Sequence, residues 1–247
     1  ATPHVWPSLP LTPEREHDVR EAHARMAAEL AEHALDLRLG WELTPAERLL
    51  DEDPARYRLG ELRAVLMEVP FNGSLALAER LATHIATAGL TPIVAHPERA
   101  DGVRADPGAV LRFAEQGWLL QVNASSLLGA HGHDQEDVGW RLVHGGLADL
   151  VASDGHRSSR PPFLDEAHRL ARARVGESAD ALFDGSALAA LGGFGGTSLV
   201  AGVRWSFRNK DAGSVRSRRL RARPRTQSSG RAARPGGTGC VSPSPPC

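Results

Sequence analysis

The chain has 247 residues, with 29 Lys and Arg against 30 Asp and Glu, 41% hydrophobic residues, 5% aromatic residues and only two cysteines. That length holds one large α/β domain or two small ones, with ample material for a core. No apolar run approaches the ~18 residues that span a bilayer, no charged-then-apolar leader opens the chain, and Cys240 and Cys247 both lie near its end. The expectation is a reduced, cytoplasmic, globular protein without membrane insertion, a disulfide framework, a Cys-ligated zinc site or a core cysteine nucleophile.

In chain order, Thr12, Pro13 and Glu14 read as N-cap, first helical residue and acidic first turn. Val19, Met26, Ala27, Leu30 and Ala34 then recur at helical spacing, which predicts a helix over about 13–35. Arg63 to Val69 is a short apolar run before Pro70, Asn72 and Gly73 and reads as a buried strand ending in a turn. Leu75 to Ala88 is helical and closes on Gly89, before a strand from Thr91 to Ala95. The pattern repeats with a helix over about 107–116, Gly117 and a strand from Trp118 to Val122, then a helix over about 134–144, Gly145, Gly146 and a strand from Asp149 to Ala152. Strand, helix and glycine at this rhythm predict βαβ units and a parallel sheet. With four such units and no GxGxxG or GxxxxGK[ST], a barrel-like arrangement is preferred to a dinucleotide-binding sheet.

From about residue 191 the character changes. Residues 195–247 carry eleven basic groups, from Arg204 to Arg234, against the single acid Asp211. Such a segment cannot bury enough apolar surface to offset its ordering entropy, so 1–190 is expected to be the folded domain and 191–247 a disordered Gly/Arg/Pro-rich tail. Its charge offers nonspecific attraction to nucleic acid, but it lacks the interleaved aromatics of a stacking surface. A solvated or frame-shifted tail is the preferred reading.

The expected strand ends carry a recurring chemistry. His4 follows Ala-Thr-Pro, Glu42 stands in Gly-Trp-Glu, Glu68 in Met-Glu-Val, His96 after Ile-Val-Ala, and Asp154 with His156 after Val-Ala-Ser. In parallel α/β folds such ends converge on one face, where reactive groups gather. Any one of these has a bland reading as a loop residue, but Glu68 inside an apolar strand is costly to bury unless paired or bound to metal. Imidazole and carboxylate without thiolate suit Mn²⁺, Fe²⁺ or Zn²⁺. Asp154 and His156, two residues apart, point the same way if the backbone is extended. Asn123, after Gln-Val, is left with two roles, orienting a ligand or capping the next helix.

The stretches Ala-Thr-Pro-His (1–4), Gly-Trp-Glu (40–42), Met-Glu-Val-Pro (67–70), Thr-Pro-Ile-Val-Ala-His-Pro-Glu-Arg (91–99), Leu-Gln-Val-Asn-Ala-Ser-Ser-Leu (120–127), Val-Ala-Ser-Asp-Gly-His-Arg (151–157) and Arg160-Pro-Pro occur in that order. Together they resemble the polymerase-and-histidinol-phosphatase (PHP) superfamily, and within it the bacterial manganese-dependent protein-tyrosine phosphatases of capsule and exopolysaccharide synthesis. The resemblance covers about residues 1–190. It implies a distorted (β/α)7 barrel, a trinuclear metal cluster at the carboxyl ends of the strands, and dephosphorylation of the tyrosine-rich tail of a bacterial kinase. On that pattern His4, Glu42, Glu68, His96, Asp154 and His156 match metal ligands, with Mn²⁺ preferred to Fe or Zn. Arg99 and Arg160 match arginines that hold substrate phosphate, and His156 is also placed to protonate the leaving phenolate.

One departure stands out. Members of the superfamily open with a strand ending in His-x-His and, shortly after, an Asp, whereas this sequence starts at the strand that follows. The expectation is a fragment lacking roughly 40 residues, about one βαβ unit, or a degraded copy, with an incomplete cluster in either case. The one His-x-His present, His131-Gly132-His133, lies in a Gly-rich loop at the wrong position to replace it. Three functions stay open: a tyrosine phosphatase, a PHP hydrolase of histidinol phosphate, another small phosphoester or a nucleic acid, and a non-catalytic remnant.

Overall fold

The computed structural model describes residues 1–156 and 160–192. The expected basic tail lies outside the described residues apart from its first two positions. In chain order the elements are β1 (His4–Val5), α1 (Pro13–Ala31), β2 (Glu42–Leu43), β3 (Ala64–Glu68), α2 (Ala76–Thr87), β4 (Thr91–Ala95), α3 (Asp101–Ala105), α4 (Gly108–Glu115), β5 (Leu119–Asn123), α5 (Ala124–Leu127), α6 (His133–His144), β6 (Leu150–Ala152), α7 (Leu164–Val175) and α8 (Ser186–Ala189). The strands form one six-stranded sheet in sequence order, every neighbouring pair parallel. The α/β class with a parallel sheet is therefore seen, as a six-stranded sheet among the described residues.

The sheet is covered on both faces, as a parallel sheet must be. All five residues of β3 are buried, and alternation along the strand sends them to different layers. Val65 and Met67 join Val94, Leu120 and Val122 in the main core beneath the helices. Ala64 and Leu66 join Ile93 and Ala95 in a smaller apolar cluster on the other face, flanked by Leu59, Leu119, Leu150 and Leu188. Glu68 shares the parity of Ala64 and Leu66, so its carboxylate stands at the end of this second face.

Helix limits follow their caps. The Thr12 hydroxyl accepts a hydrogen bond from Arg15 N at 3.2 Å, with Pro13 in the first turn. α1 stops at Ala31, short of the expected 35, because Leu35 N reaches back to Leu30 O at 3.1 Å around Ala34, whose φ is +58°. That left-handed closure is a helix-ending turn, here made without glycine. Gly89 and Gly117, at φ +75° and +77°, close α2 and α4 as expected. The sequence reading assigned no helix to α7, whose buried residues are only Ala167 and Ala171 among charged neighbours.

Candidate metal centre

Register brings the reactive residues to one end of the sheet. His4 pairs with Glu42, Glu42 with Leu66, Glu68 with Ala95, and Asn123 with Ala152; His96 and Asp154 follow just beyond β4 and β6. The two carboxylates and His96 are buried. One oxygen of Glu42, one of Glu68 and one ring nitrogen of His4 lie within 4.8 Å of one another. His96 Nε2 is 3.1 Å from Glu42 Oε1 and 3.8 Å from Glu68 Oε2. His4 Nδ1 is 3.8 Å from Glu42 Oε2, and its Nε2 is 3.4 Å from His156 Nε2. His156 Nδ1 lies 3.5 Å from Asp154 Oδ1. The six residues thus form one run of neighbours: Glu68, His96, Glu42, His4, His156, Asp154. Five of them, all but Glu68, line a cavity of about 550 Å³ whose floor is Leu66, Ile93 and Leu150 from the smaller apolar face.

The donor set fits a cation. Two buried carboxylates side by side are costly without positive charge between them. The nearest compensation is His96, whose pKa burial alone would lower; the hydrogen bond and charge of Glu42, with the charge of Glu98, outweigh burial and raise it. Nδ1 of His4 and of His96 are both buried with no hydrogen-bond partner, an arrangement uncommon in a finished core. His156 Nδ1 donates to the Asp154 carbonyl at 2.9 Å, which leaves the Nε2 lone pair facing His4, the tautomer that ligation needs. The same tautomer removes the proton that the sequence reading offered to a leaving group.

Local backbone holds these side chains in place. Three described non-glycine residues have positive φ, and two of them are His96, at +36°, and Asp154, at +46°. Such conformations cost of order 1–3 kcal/mol and persist where surroundings over-determine them. Asp154 and His156 are therefore not aligned by an extended strand, as the sequence reading supposed; a left-handed turn at Asp154 brings them together. Thr44 Oγ1 donates to Glu68, Arg15 fixes the His4 carbonyl at 2.6 Å, and Trp6 stacks on the His4 ring at 4.9 Å.

Asp154 joins the run to two cations. Its Oδ2 accepts from Arg160 Nη2 at 2.6 Å, Asn123 Nδ2 at 2.8 Å and Arg99 Nη1 at 3.3 Å. Arg99 and Arg160 thus flank one carboxylate oxygen, each with further guanidinium donors to offer. They also line a recess of about 300 Å³ with Ser125, Ser153 and His131. Asn123 opens α5 without a side-chain cap; its amide spans Asp154 and Gln121 instead, which decides between its two readings.

Two neighbours escaped the sequence reading. Glu98 is fully buried and accepts from Asn123 N at 3.1 Å and Ser126 Oγ at 2.7 Å, tying the turn after β4 to the end of β5; as a letter of the Ala-His-Pro-Glu-Arg motif it carried no signal of its own. His131, set aside as a substitute for the absent His-x-His, takes no part in the carboxylate cluster but stands beside the arginines, with Nδ1 3.0 Å from Ser126 Oγ. Burial, reinforced by the charges of Arg99 and Arg160, pushes its pKa down to about 4. Unfolded, the ring protonates near 6.5. Between those values the unfolded chain binds the extra proton, so this residue's contribution to stability is lost as pH falls from 6.5 towards 4. The expected result is that His131→Asn flattens part of the acid limb of the urea midpoint against pH; an unchanged slope there contradicts the assignment.

A parallel α/β protein with a His-carboxylate cluster and an arginine pair at the carboxyl ends of its strands is the class these features define. The chain belongs to the family described as capsular polysaccharide synthesis, CpsB/CapC, whose model matches residues 1–187. It is 28% identical over 139 residues to the putative tyrosine-protein phosphatase CapC of Staphylococcus aureus, covering 56% of this chain and 54% of that protein. It is 34% identical over 98 residues to the tyrosine-protein phosphatase YwqE of Bacillus subtilis strain 168, covering 40% of this chain and 39% of the relative. The chain thus spans about half the length of the first relative and less of the second. A solved structure from work on YwqE of B. subtilis and CpsB of Streptococcus pneumoniae, described as unique metal-dependent tyrosine phosphatases, superposes with a TM-score of 0.59 and 28% identity. That match covers 65% of this chain and 67% of the solved one. No described helix is long and apolar enough to cross a membrane.

Proposed function

We propose that the chain carries the active site of a metal-dependent protein-tyrosine phosphatase acting on a bacterial tyrosine kinase in capsule or exopolysaccharide synthesis. His4, Glu42, Glu68, His96, Asp154 and His156 hold the metal, Mn²⁺ before Fe or Zn, and the six strands belong to a PHP-type (β/α)7 barrel. The observation that carries the reading is the unbroken run of neighbours from Glu68 to Asp154, ending on Arg99 and Arg160.

The metal, when bound, supplies positive charge that polarises a phosphoryl group and makes water acidic enough to attack at neutral pH. The protein's own groups do the rest. Arg99 and Arg160 bind the equatorial phosphoryl oxygens through N–H donors not spent on Asp154, and their planar forks fix the phosphorus in line for attack. Asp154 aligns both guanidinium groups while its Oδ1 faces the ligands, and Asn123 holds Asp154 in turn. A tyrosine phenolate leaves with little proton donation, so His156, whose ring proton is held on the Asp154 carbonyl, acts as a ligand and not as the acid.

The test is phosphate release from a phosphotyrosyl peptide by the purified chain with Mn²⁺, repeated with Arg99→Lys. Lysine keeps the charge and loses the fork, so KM rises and rate falls, by about ten-fold or more in kcat/KM, with Mn²⁺ binding unchanged. Turnover equal to wild type in Arg99→Lys, or no metal-dependent release by the parent chain, counts against the reading.

A further inference from the structure

Phe71 is a large apolar residue left 41% exposed beside a charged site, outside both apolar clusters. It follows β3, and its carbonyl accepts from Asp101 N at 2.8 Å, which pins the segment to the start of α3. Its ring lies 5.6 Å from the His96 ring and 4.4 Å from the Arg99 guanidinium. Phe71 thus sits against both a candidate ligand and a candidate phosphate-binding arginine while keeping part of its ring free.

Two recesses meet at this point. The inner one holds Arg160, Asp154 and Ser153, and the outer one, of about 260 Å³, holds Phe71, Asn72 and Gln135. Arg99 and His131 line both. A ligand whose anionic head occupies the inner recess therefore extends past Arg99 and His131 towards Phe71. We propose that Phe71, with His131 lining the same recess, is the specificity-determining wall that receives the aromatic ring of an aryl phosphate. This rests on the phosphatase reading for the identity of the head group. Aromatic pairs favour offset or edge-to-face packing that an alkyl chain cannot reproduce. The wall is already ordered by the Asp101 hydrogen bond and the Arg99 contact, so little freedom is lost on binding. His131, neutral at physiological pH, adds a flat hydrogen-bonding ring without repelling Arg99.

The rival explanation is that Phe71 only braces Arg99 through the cation–π contact. Two ligands separate these. Phenylphosphonate carries head and ring and is not hydrolysed; inorganic phosphate carries the head alone. Calorimetric titration of the full chain with Mn²⁺ present should show Phe71→Leu weakening phenylphosphonate about three- to ten-fold, with inorganic phosphate changed less than about two-fold and Phe71→Tyr close to wild type. Parallel weakening of both ligands, no weakening of either, or a parent chain that binds phenylphosphonate no better than phosphate overturns the proposal. Peptide turnover is scored separately: a chain that binds both ligands with the expected ratio but releases no phosphate from phosphotyrosyl peptide refutes the phosphatase reading and leaves the aryl wall standing.

Discussion

On the proposed phosphatase reading, Asp154→Asn is expected to lower metal-dependent activity by at least about a hundred-fold, on the scale of losing one preorganised electrostatic group at a reacting centre. The residue serves two parties at once. Oδ2 is shared by Arg160, Asn123 and Arg99, and Oδ1 faces His156. An amide is isosteric but neutral, and one of its two ends must present N–H, either to guanidinium donors or to the cation. The arginines then lose the acceptor that orients them, and the proposed cation loses a negative ligand. Because shape and packing are kept, folding is expected to survive, and Tm within a few degrees of wild type would show that the lost rate is chemical. Activity within two-fold of wild type contradicts the placement of Asp154 at the junction.

Glu98→Ala is the change with the largest expected effect on folding among residues around the site. Its side chain is fully buried, and one oxygen accepts from both Asn123 N and Ser126 Oγ. Truncation leaves the buried Asn123 N–H unmet, takes from the Ser126 hydroxyl its carboxylate acceptor, and opens a void against Gly139, whose added Cβ would lie 3.8 Å from Glu98 Cγ. Unmet buried donors cost about 1–3 kcal/mol each, so a loss of roughly 2–5 kcal/mol is expected from a domain stabilised by about 5–15 kcal/mol. Chemical denaturation reads it directly. Since Asn123 also holds Asp154, the same variant should weaken Mn²⁺ binding at temperatures where it is still folded. A urea midpoint equal to wild type would mean that the Glu98 bonds do not tie β5 to the turn after β4.

The sequence made the repeating framework legible because its signals are local. Thr12-Pro13, Gly89 and Gly117 mark helix ends through backbone chemistry that any fold respects, and Thr91–Ala95 is bounded where the apolar run ends. Recurrence of His and carboxylate at strand ends was legible for the same reason. What was not legible depends on tertiary geometry. α7 fully buries only Ala167 and Ala171, with Leu164, Leu170 and Val175 half-buried against the core, a stripe too broken by charges to read. The left-handed turn at Asp154, imposed by its neighbours, replaces the extended pair inferred from spacing. His131 shares a recess with Arg99 and Arg160 only because the loop before α6 turns back onto α5, and neither its spacing nor its composition announces that.

The central claim is that side chains of β1, β2 and β3 and of the turns just beyond β4 and β6 share a cation. Isothermal titration of the purified chain with Mn²⁺ addresses it most directly, comparing wild type with Glu42→Gln, a substitution that keeps side-chain size and removes charge at the middle of the run. The expected result is saturable binding by wild type, weakened about a hundred-fold or more in Glu42→Gln, a ligand loss at least as severe as that of outer-shell partners. Absence of binding by wild type, or equal affinity in the two proteins, contradicts it.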